Sequence, residues 1–220
     1  MRADNDAFNL WQAPANRPDE EYTSGVRAAL QLAGAAPWER WLHRAVPPCA
    51  VGVVPCAAHT YAFGQDIYTG QLVFGDTTPV KGTRPNAGWL YVQESSRVER
   101  ANRLDETSVT VGVTGAPALG QTTVQLVHAI APDYNRPINW SAQLPFEPGI
   151  ILAWDRTVRV LAIGEGRLFG ADVEPHAGAS LGNILTEARA GMRVRAGLRM
   201  QHPWLLAAID TADTTPAISF

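Results

Sequence analysis

The strongest pattern along the chain has a period of two, the signature of a β-strand whose two faces differ in chemistry. From Thr186 to Arg199 one alternate set reads Thr186, Ala188, Ala190, Met192, Val194, Ala196 and Leu198. The other set reads Glu187, Arg189, Gly191, Arg193, Arg195, Gly197 and Arg199. The same contrast sets Val26, Ala28, Leu30 and Leu32 against Thr23, Arg27 and Gln31, and Thr107, Val109, Val111 and Val113 against Glu106, Ser108 and Thr110. It recurs where Ala171, Val173, Ala177, Ala179 and Leu181 oppose Asp172, Glu174, His176 and Ser180. Less regular strands are expected near 57–67, 87–97 and 149–162, and a short one around Asn5 and Asp6. This makes about eight strands, separated by turn signals such as Pro117, Gly120, Gly164-Glu165-Gly166 and Gly182-Asn183.

One segment departs from the alternation. Gln121 to Ala131 has the spacing of a short helix, ended by Pro132. Gln121, Gln125 and His128 then share one face, and Val124, Val127 and Ala131 line a neighbouring stripe. A helix in a loop between strands is a natural perch for a functional side chain.

Composition gives the alternation a setting. The 220 residues suit a single domain spanning 1–220. Only 18% of them are charged, against about 25% in an ordinary soluble protein. A membrane barrel accounts for the deficit, because half of its strand positions face lipid. A soluble sandwich is the alternative, with the charged faces in water. Net charge is −3, so no basic excess points to nucleic acid. No apolar run approaches the ~18 residues of a spanning helix. Met1 to Asp6 carries no apolar leader core, so a trimmed mature form or a misassigned gene start is expected. Cys49 and Cys56 lie in a Pro-rich stretch. Two unpaired structural cysteines are expected, with a disulfide as the alternative in an oxidising compartment.

The usual soluble-enzyme signatures, G-x-S-x-G, a phosphate-binding loop and H-E-x-x-H, are missing. A different series of blocks is present. It runs Asp4-Asn5-Asp6-Ala7-Phe8, Tyr22-Thr23-Ser24-Gly25, Gly64-Gln65-Asp66-Ile67-Tyr68-Thr69, Arg84-Pro85-Asn86-Ala87-Gly88-Trp89-Leu90-Tyr91 and Gly112-Val113-Thr114-Gly115-Ala116-Pro117. It continues with Val124-Gln125-Leu126-Val127-His128, Trp140, Gln143-Leu144, Glu147-Pro148-Gly149 and Pro175 to Asn183. In order and spacing these resemble the LpxR-type lipid A 3′-O-deacylases of Gram-negative outer membranes, from residue 4 to about 200. The chain departs from the family pattern at Thr83 and Asn86, where the family usually has aspartate and tyrosine.

The resemblance implies a transmembrane antiparallel β-barrel, twelve-stranded in the family, of which this chain is expected to form an incomplete part. It implies an outer-membrane location, contact with outer-membrane lipid, lipid A or lipopolysaccharide as substrate, and a monomeric protein. It also implies calcium as cofactor. In the family the catalytic histidine follows the stretch matched by Val124 to Val127, which selects His128. From its residue type alone, His128 is already the best candidate base, because imidazole titrates near neutral pH. Asn5, Asp6 and Thr23 match the family's site residues, and Lys81 and Arg84 match its basic loop. Asp6 offers hard oxygen atoms for calcium, Asn5 a donor for an oxyanion, and the cation pair suits the phosphates of lipid A. The implied reaction is release of the 3′-linked acyloxyacyl group by a water that His128 activates with calcium assistance. A non-catalytic or decayed barrel homologue and a soluble β-rich binding protein are the competing expectations.

Overall fold

In the computed structural model, which describes residues 2–5, 21–35, 46–50, 54–70, 85–130, 139–164 and 167–199, each alternating stretch is a strand of one antiparallel sheet. The strands are β1 (Arg2–Asn5), β2 (Glu21–Ala33), β3 (Cys56–Thr69), β4 (Ala87–Arg100), β5 (Arg103–Thr114), β6 (Pro148–Val158), β7 (Leu161–Ile163), β8 (Phe169–Gly182) and β9 (Glu187–Leu198). Neighbours in sequence are neighbours in the sheet. The exception is β6 and β7, which both pair with β8 and form one interrupted strand. Nine strands therefore occupy eight positions. The sheet curls into an open half-barrel rather than the closed twelve-stranded barrel implied by the family. Among the described residues β1 and β9 are its edges.

The two faces of the sheet are chemically opposite. On the inner face Arg27 donates to Gln93 Oε1 at 2.6 Å, and Gln93 passes a hydrogen bond to Thr110 at 3.0 Å. Farther along, Arg97 pairs with Glu99, Arg189 with Asp155, Arg193 with Glu174 and Arg195 with Asp172. Asp172 and Glu174 are fully buried. A buried carboxylate is tolerable only when paired, and the arginines of β9 supply the partners. Removing one of those arginines alone therefore costs more than the pair itself contributes. At the end of the sheet where β3 finishes, Tyr68, Ala87, Trp89, Tyr91, Ile151 and Leu185 form an apolar core.

The outer face carries Val26, Leu30, Phe63, Val92, Val111, Ile150, Leu152, Leu181, Met192 and Val194, all exposed. Registered pairs such as Ala28 with Phe63, Phe63 with Val92, Val92 with Val111 and Val111 with Ile150 make this a continuous belt. A soluble monomer rarely exposes so large an apolar surface, whereas a membrane barrel presents such a band to lipid. This decides between the sandwich and the barrel. No helix among the described residues is long and apolar enough to cross a membrane.

The connections differ at the two ends. A two-residue turn, Ala101-Asn102, joins β4 to β5, while thirty-three residues, 115–147, separate β5 from β6 at the other end. Outer-membrane barrels keep short turns on the periplasmic side and long loops outside. We call the ends inner and outer accordingly.

Cys49 and Cys56 form a disulfide, contrary to the expectation of free thiols. The segment before β3 doubles back on it. Ala57 donates its N–H to Pro47 at 2.8 Å, and Cys49 donates to Ala57 at 2.9 Å. This brings the two Cα atoms to 4.7 Å. Spacing in the sequence carries no sign of that reversal. Closing so short a loop constrains the unfolded chain by about 2.5 kcal/mol. Cys49→Ser is therefore expected to lower the unfolding midpoint by a few degrees while sparing any chemistry at the outer end. Thermal melts and activity of the same preparation check this.

Candidate functional site

Beyond β5 the chain does not continue into the lumen. It makes a 3-10 turn, Ala116–Ala118, and Leu119 then takes a left-handed conformation, φ 59°. Few non-glycine residues adopt that backbone, and here it swings the chain back over the outer wall. The helix α1 (Gly120–Ile130) follows. It matches the segment predicted from the sequence to within a residue at each end, and Ala131 and Pro132 lie outside the described residues.

Three contacts dock α1 on the outer face. Gln65 of β3 donates to the Ala118 carbonyl at 2.6 Å and accepts from the Thr123 hydroxyl at 2.9 Å. Val124 packs with Ile67 and Trp140 in a small apolar cluster. Gly88 of β4 lies so close to the helix start that a Cβ there would stand 3.1 Å from Ala118 Cβ and 3.2 Å from the Gly120 nitrogen. Above the same region Asn86, fully buried, accepts from the Gly70 N–H and donates to the Asn139 carbonyl. The Asn86 carbonyl accepts from the Leu144 N–H at 2.8 Å. Asn86 thus ties three loop segments together at the position where the family pattern has tyrosine. Gln65, Thr123 and Asn86 were not picked out as functional from the sequence, although Gln65 and Asn86 fall inside its motif blocks.

The helix crosses the strands. Its start meets Gly88 on β4, and its next turn meets Gln65 and Ile67 on β3. Four helical residues advance about 6 Å, close to the roughly 4.8 Å between strands. Gly120 and Val124 are buried against the wall, and His128, four residues on, is half-buried on the same stripe. The sequence spacing had grouped His128 with Gln121 and Gln125, but those two are exposed. The opposite stripe carries Leu119, Leu126 and Ile130, with Leu126 61% and Ile130 77% exposed.

Asn5 ends β1 in register with Ser24, and Ser24 is in register with Ile67, the residue beneath Val124. One register row thus runs from Asn5 through Ser24 to Ile67. Thr23 sits between the pairs Tyr22–Tyr68 and Ser24–Ile67, at an irregularity in the β2–β3 register. Such a bulge interrupts the alternation, so counting from Arg27 does not assign Thr23 to a face. Asp6, Lys81 and Arg84 lie outside the described residues.

Calcium needs several hard oxygen ligands. Among the described residues one group of His, Cys, Asp or Glu comes close enough to hold a metal: Cys49, Cys56 and Glu99. Both sulfurs are spent in the disulfide and the group lies at the inner end, so it does not fit calcium. On the polar face of β8, Ser180 accepts from Arg189 at 3.0 Å and serves the inner ion-pair network.

The family model described as "Outer membrane protein LpxR" matches residues 1–217. The solved structure of LpxR from Salmonella typhimurium superposes with a TM-score of 0.66 at 18% sequence identity, over 89% of this chain and 62% of that one. The chain thus spans under two thirds of the length of that protein. None of the curated protein sequences matches it significantly. With a family match over nearly its whole length and the same fold, this chain belongs to the LpxR family of outer-membrane proteins.

Proposed function

We propose that the chain is an ester hydrolase of the lipid A 3′-O-deacylase type, working in the cleft between α1 and the outer wall of the half-barrel. The observation that carries this reading is the wall-facing stripe of Gly120, Val124 and His128. His128 is half-buried one turn beyond Val124, and Asn5 ends β1 in the register row of Ile67, on which Val124 packs.

The position suits a lipid substrate. The cleft borders the apolar belt and not the charged lumen, so an acyl chain can enter sideways from the bilayer without crossing the arginine network. Leu126 and Ile130 present an apolar surface to the same acyl region. In the proposed chemistry His128 takes the proton from a water that attacks the ester carbonyl, and later returns it to the departing alkoxide. Asn5 donates to the developing oxyanion. Thr23, at the bulge, orients the water or the ester. Asp6, next along the chain from Asn5, supplies hard oxygens that suit calcium, and a bound calcium would add positive charge beside the oxyanion. Lys81 and Arg84 would engage the glucosamine phosphates.

Mass spectrometry of lipid A incubated with the folded protein in detergent tests this. The expected product has lost its 3′-linked acyloxyacyl group, and excess chelator suppresses its formation at least about tenfold, as loss of a metal assisting the oxyanion would. Intact lipid A after incubation with calcium would sink the enzymatic reading.

A further inference from the structure

At the inner end of the outer face, at the end of β4 opposite the one that carries α1, three arginines converge on one carboxylate. Arg156 donates to Asp105 Oδ1 at 2.5 Å, and Arg100 and Arg103 both reach Asp105 Oδ2 at 2.9 Å. Asp105 pairs in register with Arg156, and Arg100 with Arg103. Parity puts all four in the alternate sets of Val92, Val109 and Leu152, so they face outward and not into the lumen.

The burial is graded. The Asp105 side chain is 14% exposed, while those of Arg103 and Arg156 are 36% and 40% exposed. The acid lies beneath and the guanidinium groups form the surface. A guanidinium has five N–H donors in a planar fork, and the carboxylate engages only one edge of each. Beside the cluster, the Arg156 guanidinium lies over the Trp154 ring, 5.2 Å from its centroid. Trp154 is itself exposed, and one row farther into the membrane the face becomes apolar at Leu152 and Val109. Cations and an amphipathic ring bordering an apolar band is the arrangement expected at the depth of lipid headgroups.

We propose that Arg103 and Arg156, with Asp105 holding them from below, bind the phosphate of a glycerophospholipid in the leaflet at the inner end. The lipid's glycerol and first methylenes would lie along Trp154 and Leu152. The site rests on the outer face being lipid-facing and is independent of the chemistry assigned to His128. It would fix the depth of the barrel in the membrane from the end opposite the cleft.

Native mass spectrometry of the full chain released from detergent micelles reads this out directly. Phosphatidylglycerol is expected to remain bound with at least about tenfold higher occupancy than diacylglycerol of the same acyl chains, because each charge-assisted hydrogen bond carries a factor of this order. Arg103→Gln/Arg156→Gln, checked for folding by heat-modifiable mobility, is expected to reduce phosphatidylglycerol to the diacylglycerol level. Inorganic phosphate at the lipid's concentration is expected not to displace it. Equal retention of the two lipids by the wild-type protein overturns the proposal, with no variant needed. Undiminished phospholipid binding by the folded double variant overturns it too, and full displacement by inorganic phosphate reassigns the cluster to a simple anion site.

Discussion

Replacing His128 by alanine is expected to abolish lipid A deacylation while leaving the fold intact. Loss of a positioned general base lowers a rate by about two to four orders of magnitude. The structural cost is small, because alanine is the better helix former and His128 is only half-buried. The contacts that dock α1, from Gln65, Thr123 and Val124, all lie on earlier turns. Gln125→Ala is the matched control. The two side chains are three residues apart, but Gln125 is exposed, so its loss is expected to leave the rate unchanged. Rates on lipid A, with heat-modifiable mobility as the check on folding, separate the outcomes. Full activity in His128→Ala would remove the histidine from the mechanism. An equal loss in Gln125→Ala would mean that the helix, and not the imidazole, is what the substitution disturbs.

The contrast between those two residues shows how much of the site the sequence carried. A period of 3.6 located the helix to within a residue at each end, because Pro132 and the break in alternation bound it. Which side of the helix met the wall was a tertiary matter, settled by Val124 against Ile67 and Trp140, residues 57 and 16 positions away in the sequence by subtraction. The strands were legible for a simpler reason. Lipid on one side and paired charge on the other impose a strict two-residue contrast, as in β8 and β9, where Asp172 faces Arg195 and Glu174 faces Arg193. At Thr23 the same rule assigns no face, since a bulge changes the count and nothing local announces it. The disulfide escaped for a related reason: it depends on the segment at Pro47–Cys49 folding back along β3. Curl was also beyond reach. Alternation says that one face is polar, but only the curvature of the sheet says that Asp172 and Glu174 are buried by it.

Gly88→Val is expected to have the second largest effect, and it tests whether the cleft depends on how α1 is seated. The added Cβ meets Ala118 Cβ at 3.1 Å, and the Gly120 nitrogen and Cα at 3.2 and 3.3 Å. Two of these three atoms are backbone at the start of the helix and cannot rotate aside. Valine's branches add to the crowding, so the helix start must lift from β4. The strand itself should survive, because β-branched residues suit strands and Gly88 keeps its ladder partner Ile67. Overpacking of this kind costs about 1–3 kcal/mol, and a misplacement of about 1 Å at a catalytic group can cost a hundredfold in rate. The expected result is a folded barrel whose deacylation rate falls about a hundredfold, with faster amide exchange across Gly120–Ile130. Gly88→Ala, which asks the turn to give by a few tenths of an ångström, should fall between the two. Val92→Ala lies on the same face of the same strand but in the lipid belt, and is expected to do nothing. If Gly88→Val folds, exchanges normally along α1 and keeps its rate, then the close approach of β4 to the helix does not set the position of His128.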